Sequence, residues 1–260
     1  MKKILFALVC VLTIALTSCF EGTGNNASYT FSRVVTIDAT SSPVKFVADY
    51  TGEEFDKFTN LKTPEQLKDF DLEDALRAEV YMQLDINASY EQTWTMLKGK
   101  KIDIIDIANK VTTDTMPLLG LRSYPLGGTP YSPTVWVSNG YLNVLPIVPS
   151  KKSAKYSLTP EKAVNDSLYF NLTATYEEDS LEVFAEDIHC YDLRTLRDTA
   201  NADAKIYDKM REVLTAMEAH RRDSMRVFVS IQEIDYNYNY LGEDTIRKIN
   251  HISNYFKYDF

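Results

Sequence analysis

Hydrophobic and polar residues alternate with a period of two over the clearest stretches of this chain. Ala78, Val80, Met82, Leu84 and Ile86 alternate with Glu79, Tyr81, Gln83, Asp85 and Asn87, the pattern of a strand with one buried face. Leu168, Phe170, Leu172, Ala174 and Tyr176 repeat it against Tyr169, Asn171, Thr173 and Thr175, and Met225, Val227, Val229 and Ile231 form a third such run. Shorter β-prone runs, Val34 to Ile37 and Val44 to Tyr50, flank Ser41-Ser42-Pro43 and predict two strands joined by a turn. Thr63-Pro64-Glu65-Gln66 offers an N-cap, a proline at the first helical position and a glutamine at the third, so a short helix through Phe70 is expected. Gln92 to Leu97 and Ile102 to Val111 flank Lys98-Gly99-Lys100, which predicts a hairpin.

The second half keeps the β pattern with one interruption. Thr134 to Ser138 and Tyr141 to Val148 surround Asn139-Gly140, a strong hairpin dipeptide. Glu177 to Ser180 is expected to turn the run at 168–176 into Leu181 to Tyr191, a second hairpin. From Ala202 to Arg222 the period changes: Ile206, Met210, Val213, Leu214 and Met217 fall on one helical stripe, with Lys205, Asp208, Lys209, Arg211, Glu212, Glu218 and Arg221 elsewhere, as in an amphipathic helix. Strands resume at Met225, at Ile234 to Leu241 and at Ile249 to Phe260. Between the two halves, from Thr112 to Pro133, crowd Pro117, Gly120, Pro125, Gly127, Gly128, Pro130 and Pro133, too many breakers for a regular element. The expected fold is therefore mainly β: a small OB-like barrel over 31–112, a linker over 113–133, and an antiparallel β-sandwich over 134–260 carrying one helix at about 202–222.

The N-terminus changes the picture. Lys2 and Lys3 precede an apolar run from Ile4 to Leu16 interrupted by Thr13 alone, and Leu16-Thr17-Ser18-Cys19 closes it. That run suits a secretory leader, since crossing a bilayer takes about 20 residues. Its ending resembles a bacterial lipobox, which implies removal of 1–18 and acylation of Cys19, with palmitate among the expected chains; several acyl chains give stable attachment. Phe20 to Tyr29 is small and polar, so residues 19–30 are expected to be a tether. Phe20 carries no retention charge after the cysteine, which favours the outer membrane of the cell envelope. The whole chain of 260 residues has a net charge of −9, and loss of Lys2 and Lys3 takes it to −11. A body so acidic is repelled by phosphate backbones, so nucleic acid is not an expected partner. Cys10 leaves with the leader and lipid consumes Cys19, so Cys190 has no intrachain disulfide partner.

The order of parts resembles the NigD-like lipoproteins: lipobox, tether, OB-like barrel, Pro/Gly-containing joint and C-terminal sandwich. Gly140-Tyr141-Leu142-Asn143-Val144 after Val135-Trp136-Val137 is similar to the start of that family's second domain. Ala202 to Arg222 is longer than the family's usual connection there. The resemblance implies a bacteriocin-immunity role, proposed for that family from one operon context.

Candidate chemistry is sparse. Tyr236, Tyr238 and Tyr240 stand at alternate positions of a predicted strand and form a single-faced aromatic row, which stacks sugars or meets protein if exposed and packs across strands if buried. Asp187, His189, Cys190 and Asp192 crowd one strand end, but Cys190 points away from His189 and the other histidines lack ligand spacing, so no metal and no cofactor are expected. Cys190 needs a base that His189 cannot supply from the opposite face, and no serine stands in a Gly-x-Ser-x-Gly frame. Lys98, Lys100 and Lys101, and Lys151, Lys152 and Lys155, make two basic loops. Thr115, Ser167, Ser180, Thr199, Ser224 and Thr245 each follow an aspartate and precede an aliphatic or small residue, which resembles a bacterial O-glycosylation acceptor; Asp-Ser and Asp-Thr are equally ordinary turn pairs. The expected partners are a membrane, through lipid on Cys19, and an envelope protein or glycan. A non-catalytic binding protein is the favoured function class, and an exported hydrolase acting on glycan or peptide is the alternative.

Overall fold

The computed structural model describes residues 27–49, 51–52, 54–87, 89–125, 132–149, 154–176, 184–185, 187–235 and 245–259. The chain divides into two compact units, Met1–Ala48 with Glu53–Lys101, and Asp49–Gly52 with Ile102–Phe260.

In the first unit β1 (Ala27–Asp38), β2 (Lys45–Ala48), β3 (Glu54–Phe55), β4 (Arg77–Ile86) and β5 (Gln92–Lys101) form one sheet in the order β3-β2-β1-β4-β5. Phe58, just past β3, bridges in parallel to Trp94 of β5, and the Thr59 N–H donates to the Trp94 carbonyl at 2.8 Å. These contacts bring the two ends of the sheet together. With a short helix between β3 and β4, this is the connectivity of the partly open OB barrel. The alternation read at 78–86 sets the register: Ala78, Val80 and Met82 are fully buried with Val35, Ile37, Phe46 and Met96. The segment Pro64–Phe70 is a 3-10 helix that buries Leu67. Gln66 Oε1 holds its start by accepting the Lys62 and Thr63 N–H groups at 2.6 and 3.0 Å.

Two expectations for this unit change. The end of the expected tether, from Ala27, is strand. The hairpin at Lys98-Gly99-Lys100 does not form: β5 runs through all three residues, paired with β4 as far as Lys101, and Ile102 to Val111 belongs to the second unit. Lys98, Lys100 and Lys101 therefore stand along a strand, not at a hairpin tip. Gly99 is there for close packing, since a Cβ on it would lie 2.6 Å from the Leu72 side chain.

The second unit contains β6 (Ile104–Asp106), β7 (Gly120–Leu121), β8 (Val135–Ser138), β9 (Tyr141–Val144), β10 (Pro146–Val148), β11 (Lys155–Val164), β12 (Ser167–Thr175), β13 (Phe184–Ala185), β14 (His189–Asp192), α1 (Ala204–Ala219), β15 (Ser224–Asp235), β16 (Thr245–Ile252) and β17 (Phe256–Lys257). They build sheets β11-β12-β15-β16, with β17 added to β15, then β6-β14-β9-β8, and β13-β10-β7. Asn139 and Gly140 both have positive φ, 50° and 83°, the two-residue type I′ turn that their sequence favours. Asp203 caps α1 by accepting the Lys205 N–H at 2.7 Å, which shortens the predicted helix at its start. Ile206, Met210, Val213 and Met217 bury its stripe in the core that holds Leu158, Phe170, Leu172, Val227 and Val229.

Here too the pairing departs from a simple meander. Among the described residues 168–176 and 184–191 do not pair as the expected hairpin: β12 pairs with β11 and, in parallel, with β15, while β13 and β14 join other sheets. The two units part at Lys101, and the breaker-rich stretch 113–133 contributes β7 and isolated bridges from Met116 to Ala174 and from Leu118 to Glu233. Breakers forbid a long element, yet single residues still lend their backbone groups to a neighbour.

Asparagine amides close two strand margins. Asn60 donates to the Met96 carbonyl at 2.6 Å and accepts the Met96 N–H at 3.0 Å. Asn254 does the same to Val137, at 3.1 and 2.8 Å. Each side chain imitates the peptide of a missing strand.

Gly99→Ala is expected to destabilise the chain by about 1–3 kcal/mol, because Leu72 must leave its packed position; an unchanged urea midpoint would refute that packing role. Asn254→Asp keeps the acceptor but turns the donor into a second acceptor against a carbonyl, so a loss of about 1–3 kcal/mol is expected at neutral pH. Asn254→Asp melting like the parent would show that the paired amide contributes nothing.

Candidate functional site

The ladder between the parallel strands β12 and β15 runs from Ser167↔Arg226 to Asn171↔Ser230. Beyond it the strands part around residues 116–118. The Met116 N–H donates to the Ala174 carbonyl at 2.8 Å on one side. On the other, the Leu118 N–H donates to the Gln232 carbonyl at 2.7 Å, and the Ile234 N–H donates to the Leu118 carbonyl at 2.9 Å. Pro117, with no N–H to offer, sits between them, and its carbonyl takes the Tyr176 hydroxyl at 2.5 Å. The fork leaves a cleft of about 350 Å³ whose walls include Thr159, Asn171, Thr173, Ser230, Gln232 and Lys248, with Leu172, Ile231 and Ile206 of α1 as its apolar part.

The period of two explains why polar groups meet here. β12 buries Leu168, Phe170, Leu172 and Ala174 and turns Tyr169, Asn171 and Thr173 the other way. Register then aligns them with their neighbours: Thr159, Asn171, Ser230 and Asn250 form one row across four strands. In the next row Ser157 pairs with Thr173, and Gln232 with Lys248. On the other side Lys162, Tyr169, Phe228 and Ile252 make a third row, where Tyr169 and Phe228 stack with ring centroids 4.7 Å apart. Ser230 is only 2 % exposed and its hydroxyl lies 2.5 Å from Asn250 Oδ1. Lys248 Nζ is 3.1 Å from Glu161, so the charges at the rim are paired. The arrangement offers neutral donors and acceptors on rigid strands, a geometry suited to holding a polar ligand.

Of the residues singled out from sequence, Asn171 and Thr173 appeared only as the polar side of an alternation, and Thr159, Ser230, Gln232 and Lys248 carried no local signal. Cys19 and Tyr236, Tyr238 and Tyr240 lie outside the described residues, as does Ser180. Thr115 stands just before the fork. Ser167, Ser224 and Thr245 are the first residues of β12, β15 and β16, and Thr199 lies in a turn after a 3-10 helix at Leu193–Arg197. Among the described residues, no group of three or more His, Cys, Asp or Glu is placed to hold a metal.

The crowded strand end at 187–192 serves the core. Cys190 and Tyr191 are fully buried, and burial pushes the Tyr191 phenol well up. His189 rests against Tyr156, ring centroids 4.3 Å apart. Burial lowers its pKa to about 4, although Asp187 and Asp103 pull the other way. Asp192 instead caps the following 3-10 helix, accepting the Arg194 N–H at 2.9 Å and its guanidinium at 2.7 and 2.8 Å.

Structurally the chain is a mainly β protein of two units, one with OB connectivity and one of packed sheets with, among the described residues, a single α-helix. No family model matches it, and no curated protein does. Among solved structures it is similar to a candidate lipoprotein from Bacteroides fragilis, with a TM-score of 0.51, 14% identity, and 88% of this chain and 99% of that one covered. It is also similar to a candidate toxin-related protein from Parabacteroides distasonis (TM-score 0.47, 13% identity, 89% and 95% covered). It is similar too to a NigD-like immunity protein from Bacteroides caccae (0.46, 11%, 85% and 91%). At 14% identity the likeness to the first is one of fold.

His189 predicts an acid-sensitive stability. Its native pKa lies below the unfolded value of about 6.5, so between those values the unfolded chain binds more protons. Stability present above pH 6.5 is lost as pH falls toward 4, by up to about 3 kcal/mol from this group. His251, also lowered by burial, adds in the same direction. Urea unfolding of His189→Phe at pH 7.5 and 4.5 is expected to show a clearly smaller acid loss than the parent; equal losses would exclude this origin.

Proposed function

We propose that this chain is an exported lipoprotein, acylated at Cys19 and held at the outer membrane, that works by binding without catalysis. The cleft between β12 and β15 is its binding site in this reading. The observation that carries it is the make-up of that cleft, in which hydroxyls and amides are fixed on three strands and the one lysine, on a fourth, is paired with a carboxylate. Such a lining orients a ligand and supplies specificity. The leader supports the address: a short apolar run behind two lysines, ended by Leu16-Thr17-Ser18-Cys19. The family resemblance supports a narrower role, immunity to a toxin made by a sibling strain, with an envelope protein or a glycan as the group engaged.

Radioactive palmitate fed to growing cells is expected to label the parent protein and not Cys19→Ala; an unlabelled parent rejects the anchor. Deleting the gene is expected to sensitise the cell to a sibling's toxin. Unaltered sensitivity removes the immunity role while leaving the anchored binding protein in place.

A further inference from the structure

We infer that the fork between β12 and β15 takes a neutral oligosaccharide, an inference that rests on the cleft being a binding site at all. Four features of the site point to this class. First, its hydrogen-bonding groups are uncharged: the Asn171 and Gln232 amides both donate and accept, while Thr159 and Thr173, whose hydroxyl protons go to the Asn171 and Ser157 carbonyls, add acceptor lone pairs. A polyhydroxylated ligand needs such two-way partners, whereas a phosphate or carboxylate needs unpaired cationic donors. Second, the charges at the margin cancel, since Lys248 lies 3.1 Å from Glu161, and the chain's net charge of −9 repels an anion further. Third, Leu172, Ile231 and Ile206 give the same cleft an apolar part, against which the C–H face of a sugar rests while the amides meet its hydroxyls. Fourth, the opening lies past the last pair of the parallel ladder, at the carboxyl ends of both strands. The crevice beyond strand ends at a point of changed topology is where open parallel sheets bind small ligands. At about 350 Å³ the cleft is at the small end of the range for such sites, roughly 300–1,000 Å³, so it holds a short segment of a longer chain.

The test uses the full-length acylated protein in detergent micelles. It is titrated calorimetrically with neutral hexasaccharides of glucose, mannose, galactose and xylose, and with an acidic chondroitin hexasaccharide. At least one neutral series is expected to bind, and the acidic one to bind more weakly or not at all. Gln232→Ala, at an exposed position, and Asn171→Ala each remove one neutral hydrogen-bonding group and are expected to weaken binding about fivefold or more. An unfolding midpoint matching the parent shows that Gln232→Ala folds. Binding undiminished in both variants, or a preference for the acidic sugar, overturns the proposal. Absence of binding to every neutral sugar also overturns it, and a photo-crosslinking residue placed at 232 in living cells separates the two levels of failure. Crosslinks to an envelope protein at 232, and none at Lys209 on α1, retain the cleft as a site and reject the glycan. No crosslink together with no sugar rejects both.

Discussion

The parallel hydrogen-bonded ladder between β12 and β15 governs the second unit. Strands that follow one another closely pair antiparallel, whereas parallel neighbours need a crossover long enough to return the chain to its starting end. Here the crossover contains β13, β14, a 3-10 helix and α1. Its helix brings Ile206, Met210, Val213 and Met217 into the same core as the buried rows of β12 and β15. One face of the sheet is thereby kept dry and the other wet. Because two parallel strands end on the same side, any divergence between them opens a crevice there, and residues 116–118 hold them apart with backbone bonds to each. The same residues that look like linker in the sequence thus fix the width of the cleft.

Sheet margins pose the complementary problem. Unpaired strand edges invite pairing with other chains, and this protein meets some of them with asparagine. Asn60 on Met96 and Asn254 on Val137 each satisfy a strand residue's N–H and C=O with one amide. In the first unit the margin is also approached by Phe58 and Thr59, which complete the OB connectivity. In the second unit, Trp136 donates to the buried Asp49 carboxylate at 2.8 Å and stacks on Tyr124. That bond gives a reason why Asp49–Gly52 belongs with residues far along the chain instead of with the strand preceding it.

Much of the local structure was legible. The period-two runs are strands with the predicted face buried over 78–82, 168–174 and 225–231, because burial of one side imposes that period directly. Asn139-Gly140 forms its turn because both residues tolerate positive φ, and the stripe from Ile206 to Met217 is the buried side of α1. What failed were pairings. Lys98-Gly99-Lys100 reads as a turn since glycine and lysine are common there, but Gly99 answers a packing demand from Leu72, a residue 27 positions earlier. β11 went unrecognised because Pro160 interrupts it, and the ladder accommodates the proline with a register shift between Pro160 and Lys162.

The sequence by itself determined those strands and the helix whose apolar residues recur with a regular period, and which side of each is apolar, since these depend on neighbours within a few residues. Tertiary structure alone decided that β15 lies beside β12, that 116–118 separate them, and that Thr159, Asn171, Ser230 and Gln232 line one cleft. Those residues come from strands up to 73 positions apart, and each taken singly is an ordinary polar residue on the side of its strand away from the core. Only register across the sheet turns them into an array, and register is set by long-range hydrogen bonds that leave no periodic mark on the chain.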